Sequence, residues 1–331
     1  MSETATMDWT PTETAPALPG WRPLDPRKFR DPLVTAKGEA RASVALGALR
    51  TLWFNTGTLC NITCANCYIE SSPRNDRLAY LSCNEVTRYL DEIARDRLPT
   101  EEIGLTGGEP FMNPEILPII ETCLARGFKV IVLTNAMRPM QRLATPLAEL
   151  NRRLGAKLTI RVSLDHYTRE LHEAERGRGS WDKTIKGIEL LAANGFALAL
   201  AGRANTGESE AALRRGYGAL LRRLGITLDP NDTTQLVLFP EMDARVDVPE
   251  ITEACWGILH KSPDEVMCAS SRMVVKRKGA AQPAVVACTL LPYAAEFELG
   301  ATLAEASGAV RLNHPHCAKF CVLGGASCSR G

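Results

Sequence analysis

The chain has 331 residues, with 39 Lys and Arg against 38 Asp and Glu and a formal net charge of +1. That balance gives no overall field to draw nucleic acid or an anionic membrane, and no apolar run approaches the roughly 20 residues that span a bilayer. The length allows one large domain, or a large and a small one, around an ample core.

Residues 1–48 are rich in Pro, Thr and Ala without a clear period, and read as an N-terminal tail or wrapping arm. The opening MSETATMDWTPTETAPALPG has no basic start followed by an apolar block, so no secretory signal is read and the expectation is a cytoplasmic protein. From residue 51 strands and helices alternate. TLWFNTG reads as a strand, and SCNEVTRYLDEIARD as a helix with Ser82 as N-cap and Glu85 three residues on. EIGLTGG is a strand and PEILPIIETCLARG a helix closing on Gly127. FKVIVLTN is a strand and MQRLATPLAELNRRLG one helix ending at Gly155. KLTIRVSLD, FALALAGRA and TQLVLFPE are further strands, separated by SWDKTIKGIELLAANG and ESEAALRRGYGALLRRLG as helices. Apolar strands between amphipathic helices imply a parallel sheet covered on both faces. The fold class is α/β: a partial (β/α)6 TIM-like barrel over residues 49–245, open on one side. Residues 246–331 read as a small cysteine-rich C-terminal domain, in which RMVVKRKG and AVVACTLL form a hairpin turning at Gly279.

Eleven cysteines are many for a chain with no export signal, and in a reducing compartment they read as thiols or metal ligands. Three stand as Cys60-x3-Cys64-x2-Cys67 just after the first strand, where barrel loops build active sites. A disulfide would use two and leave one. A zinc site would need a fourth ligand from a distant residue. A cubane [4Fe–4S] cluster takes one thiolate per iron, so three would leave one iron open.

This triplet resembles the cluster-binding signature of the radical S-adenosylmethionine (radical SAM) enzymes, and the likeness covers about residues 50–240. It implies a [4Fe–4S] cluster on Cys60, Cys64 and Cys67, with S-adenosylmethionine at the open iron. Reductive cleavage to a 5′-deoxyadenosyl radical would follow, then hydrogen abstraction from a peptide or small-molecule substrate. It also implies a reducing donor such as flavodoxin or ferredoxin; from the balanced charge and the lack of a long apolar run, no nucleic-acid or membrane partner is expected. LTGGEP after the second strand matches the element that meets the amino group of S-adenosylmethionine, here Gly107, Gly108, Glu109 and Pro110. Ser163 at a strand end stands where a ribose hydroxyl is bound. Asp165, His172 and Arg176 follow in the same stretch, as substrate, loop or structural residues. Arg203 is the candidate partner of the S-adenosylmethionine carboxylate, with Asn205 second. The residue before the third cysteine, often aromatic in the family, is Asn66, with Tyr68 after it; both are candidates near the adenine, as is the LFPE strand end.

The C-terminal cysteines resemble, more loosely, the SPASM and Twitch auxiliary-cluster domains of the same family. A second [4Fe–4S] cluster would then be held by Cys268, Cys288 and two or three of Cys317, Cys321 and Cys328, with zinc as the alternative. Cys83, Cys123 and Cys255 are not read as ligands, and His314 and His316 read as outer donors. A different class of function, a non-catalytic Fe–S electron carrier or redox sensor, would need neither Gly107–Pro110 nor Ser163; a third is a zinc-stabilised binding protein.

Overall fold

The computed structural model describes residues 22–204, 206–240 and 243–325. A short strand β1 (Ser43–Val44) precedes β2 (Thr51–Asn55), which opens the alternation. Helix α1 (Cys83–Arg95) starts at Ser82, whose hydroxyl accepts from the Glu85 N–H while Glu85 accepts from the Ser82 N–H. Then come β3 (Glu102–Thr106), α2 (Ile116–Ala125) and β4 (Lys129–Thr134). The expected single helix after β4 is two, α3 (Arg138–Arg142) and α4 (Ala144–Leu154). The break at Leu143 places Pro146 in a first turn, where its missing N–H leaves no bond unmade. Strand β5 (Leu158–Ser163) leads to α5 (Arg169–Arg176), a helix not expected from the sequence, and to α6 (Ser180–Ala193). Strand β6 (Ala197–Arg203), α7 (Glu210–Arg223) and β7 (Leu236–Phe239) complete the alternation.

Strands β2 to β7 are parallel neighbours in chain order. The sheet does not end at β2. After α8 (Cys255–Leu259), strand β8 (Ser271–Val275) lies parallel to β2, with Thr51 opposite Ser271. Strands β9 (Ala284–Val286) and β10 (Glu298–Gly300) follow antiparallel, so the C-terminal hairpin extends the barrel sheet to nine strands. Every residue of β8 is buried, so its polar backbone has to join a ladder. Gly279, at φ +79°, lies in the connection between β8 and β9.

The arm also belongs to this end of the molecule. Strand β1 pairs with β11 (Val310–Arg311), and the buried Arg41 guanidinium meets Glu250 at 2.6 Å. Inside the barrel Trp53 is fully buried; a Cβ at Gly104 would stand 2.2 Å from its indole, so the neighbouring strand must carry glycine there. Among the described residues no helix is long and apolar enough to cross a membrane.

Candidate active site

The loops at the C-terminal ends of β2 and β3 are stitched together through their backbones. Gly108 N–H donates to Gly57 O at 2.8 Å and Glu109 N–H to Leu59 O at 3.1 Å. A Cβ at Gly108 would stand 2.2 Å from Leu59 O, and one at Gly107, where φ is +145°, 2.5 Å from Gly57 O. Two glycines are therefore what allow the cysteine loop to lie on the Gly107–Pro110 turn.

One cavity results, lined by Cys60, Cys64 and Cys67, by Gly107 and Gly108, and by Tyr68, Ser163 and Arg203. Residues not singled out from the sequence join them there: Ser71, Thr106, Thr134 and Asn135. Asp165, Arg176 and Phe239 also line it. Glu109 and Pro110 stand behind this wall. The Glu109 carboxylate accepts from Thr134 Oγ1 at 2.7 Å, Asn135 N at 2.9 Å and Phe111 N at 3.2 Å. Burial nonetheless pushes its pKa above the usual carboxylate range. Through these bonds Glu109 aims Asn135, whose side-chain amide lies 3.9 Å from Cys60 Sγ. Asn66 lies outside the cavity, with its amide donating to Glu175 at 2.7 Å. Asn205 and Cys328 lie outside the described residues.

The far wall is charged. Arg176 donates to Asp165 at 2.6 Å, and Arg203 reaches the same carboxylate at 3.4 Å while donating to Asn66 O at 2.9 Å. Burial works against the Asp165 charge, yet the two guanidiniums hold its pKa below the ordinary carboxylate value. Two cations against one carboxylate leave this wall with an excess of positive charge. His172 is fully buried against Trp181, and neither ring nitrogen has a partner among the described residues.

The donor chemistry fits a metal group. Burial pushes the Cys60 thiol up to about 12 and raises Cys64, so a thiolate there needs a cation to hold it. Ser71 N–H points at Cys67 Sγ from 3.3 Å. Among the described residues no three Cys, His or carboxylate side chains stand close enough to hold a single metal ion. A cubane does not ask that, since each thiolate meets a different iron.

A second cavity is lined by Cys268, Cys288, Cys317 and Cys321. Cys268 precedes β8, Cys288 follows β9, and the last two ride on a π-helical turn, Cys317–Leu323. Burial pushes Cys268 up to about 11 and Cys317 well above its ordinary value. Cys83, Cys123 and Cys255 line neither cavity: Cys83 Sγ faces Thr122, Cys123 is core, and Cys255 Sγ accepts from Thr252 N–H.

An open cleft adjoins both cavities. Cys67 and Tyr68 line it together with the first, and Leu290, Leu291 and His316 together with the second.

Residues 54–202 match the Radical SAM superfamily. That matched stretch, a little under half of the chain, is a radical SAM domain. Over 169 residues the chain is 30% identical to the mycofactocin maturase MftC of Mycobacterium tuberculosis (strain ATCC 25618 / H37Rv), covering 49% of this chain and 41% of that protein. Over 138 residues it is 35% identical to AlbA, the antilisterial bacteriocin subtilosin biosynthesis protein of Bacillus subtilis (strain 168), covering 41% of this chain and 29% of the relative. The matches thus span less than half the length of these curated relatives. In fold the chain is similar to Streptococcus suis SuiB bound to its precursor peptide SuiA, with a TM-score of 0.57, 15% identity and coverage of 78% of this chain and 63% of that one. It is also similar to anSMEcpe with bound AdoMet, at a TM-score of 0.52, 16% identity and coverage of 77% and 76%. The triplet and the glycine turn lie within the matched stretch; the four C-terminal cysteines lie beyond it.

Proposed function

We propose that this protein is a radical SAM enzyme that modifies a peptide, with a second iron–sulfur cluster in its C-terminal region. The observation that carries the reading is the cleft, which adjoins a three-thiol cavity on one side and a four-thiol cavity on the other. Cys60, Cys64 and Cys67 would hold a [4Fe–4S] cluster with one iron open to S-adenosylmethionine. Cys268, Cys288, Cys317 and Cys321 would hold a fully ligated one, as in SPASM and Twitch domains. When bound, the first cluster and S-adenosylmethionine would supply an electron and a carbon-centred radical able to abstract hydrogen.

The chain's own part is position and charge. Gly107 and Gly108 expose backbone where any side chain would intrude. Asn135 and the Ser71 N–H direct donors at Cys60 and Cys67, which favours the thiolate form. Arg176 and Arg203 supply positive charge for a ligand carboxylate, with Arg203 the more available because its bond to Asp165 is long. Ser163 offers a hydroxyl and Phe239 an apolar face. The cleft brings the substrate against Tyr68 and keeps it within reach of both cysteine groups. The maturase MftC and the bacteriocin biosynthesis protein AlbA among the relatives, and the peptide-bound SuiB fold, support a peptide over a small metabolite. The reducing donor, such as flavodoxin or ferredoxin, is part of the same proposal.

The test is anaerobic reconstitution with iron and sulfide, followed by dithionite and S-adenosylmethionine. Formation of 5′-deoxyadenosine, lost on Cys64→Ala, is the expected result. Iron binding without 5′-deoxyadenosine would favour the electron carrier instead, and a colourless zinc-loaded protein would sink both.

A further inference from the structure

Arg272, on β8, is 1% exposed. Its guanidinium donates to four backbone carbonyls: Ala306 at 2.9 Å, Cys268 at 2.6 Å, Ser271 at 2.8 Å and Gly308 at 2.9 Å. Its hydrogen bonds are satisfied, but its charge is not: among the described residues no carboxylate pairs with it. Arg41, equally buried, meets Glu250, and Arg176, largely buried, meets Asp165. A permanently charged group buried without a counter-ion is costly, and carbonyl dipoles offset only part of that cost. The acidic groups its charge reaches are the thiols of Cys268 and Cys288. Cys268 is also the residue whose carbonyl it grips, and both thiols line the four-cysteine cavity.

We infer that Arg272 is the fixed counter-charge of an anionic four-thiolate cluster on Cys268, Cys288, Cys317 and Cys321, and that it sets that cluster's reduction potential. The inference rests on the proposed auxiliary cluster. One-electron reduction adds one negative charge to such a group. A fixed cation beside it in a medium of low polarity stabilises the reduced form more than the oxidised one. Arg272 therefore raises the potential, making the centre a better electron acceptor toward a substrate radical in the adjoining cleft. Its four carbonyl bonds hold it rigid, so the charge is in place before any electron arrives.

The experiment uses the full chain with Cys60, Cys64 and Cys67 all replaced by Ala, so that bound iron reports the C-terminal site alone. Iron and sulfide are counted, and the potential is measured by dye-mediated titration with dithionite followed by electron paramagnetic resonance. Arg272→Met is expected to weaken reduction at least tenfold, a fall of about 59 mV for one electron. Arg272→Lys, which keeps the charge, is expected to restore most of it. An unchanged potential in Arg272→Met, or an equal fall in Arg272→Lys, would overturn the inference, because a purely structural arginine would not distinguish the two. If Arg272→Met holds no iron, Arg272→Gln is compared with Arg272→Lys: iron kept only by Lys supports the counter-charge, and equal loss from both overturns it. If the triple-Ala protein with Arg272 intact binds no iron, the auxiliary-cluster reading itself fails, a result distinct from any change in potential.

Discussion

The hydroxyl of Tyr293 donates a 2.9 Å hydrogen bond to the backbone carbonyl of Ile69, two residues beyond the last cysteine of the triplet. Asn75 donates to the same hydroxyl at 3.2 Å, and the Arg77 guanidinium lies 3.7 Å from the centre of the ring. The C-terminal region is thereby fastened to the loop that carries the first cysteines. Tyr293→Phe removes the hydroxyl and keeps the ring, and should cost about 1 kcal/mol in urea unfolding. Tyr293→Ala also removes the stacked face and should cost more. Equal stability of all three proteins would show that the two regions are held together elsewhere.

Gly108→Ala places a methyl group against the Leu59 carbonyl, a backbone atom that cannot swing aside. The cysteine loop must then lift off the turn. The expected result is loss of iron at the first site and of 5′-deoxyadenosine formation, while iron bound by the C-terminal cysteines stays. Measuring iron in Gly108→Ala alongside a Cys64→Ala control checks this.

Asp165→Asn leaves the largely buried Arg176 and Arg203 with no carboxylate between them. Removing one partner of a buried pair costs about 3–5 kcal/mol. Arg203→Lys keeps a charge at the more distant partner and should cost far less. Its effect should fall on S-adenosylmethionine affinity, measured by equilibrium dialysis.

His172 carries a pH prediction. Burial, and then the charge of Arg176, depress its pKa to about 4 from an ordinary 6.5. The folded chain therefore binds fewer protons there than the unfolded chain between those values, and stability rises with pH across that window. It is complete above pH 6.5 and lost as pH falls toward 4, amounting to about 3 kcal/mol at most. His172→Phe, which keeps a ring against Trp181, should flatten this part of the profile in chemical denaturation from pH 7 to 4.

Much of the site was legible in the chain order because its groups sit in short local motifs. The cysteine triplet and the Gly107–Gly108 pair each follow a strand, and parallel strands deliver both to the same end of the sheet. The capping box at Ser82 and Glu85 likewise depends only on residues three apart. Other features had no local signature. Helix α5, only eight residues long, gives too few turns for its period to stand out, so Arg176 could be named from its motif but not placed. Asn135 and Ser71 are ordinary polar residues until Glu109 and the loop after Cys67 aim them.

Sequence alone determined the alternation of strands and helices, the grouping of three thiols and the need for glycine beside them, because each depends on residues a few positions apart. Tertiary packing decided that β8 joins β2, that Cys268, Cys288, Cys317 and Cys321 share a cavity, and that Arg272 lies among carbonyls with no acid beside it among the described residues. Those are meetings of segments tens of residues apart, settled by which buried backbone groups and charges can find partners once the sheet has formed.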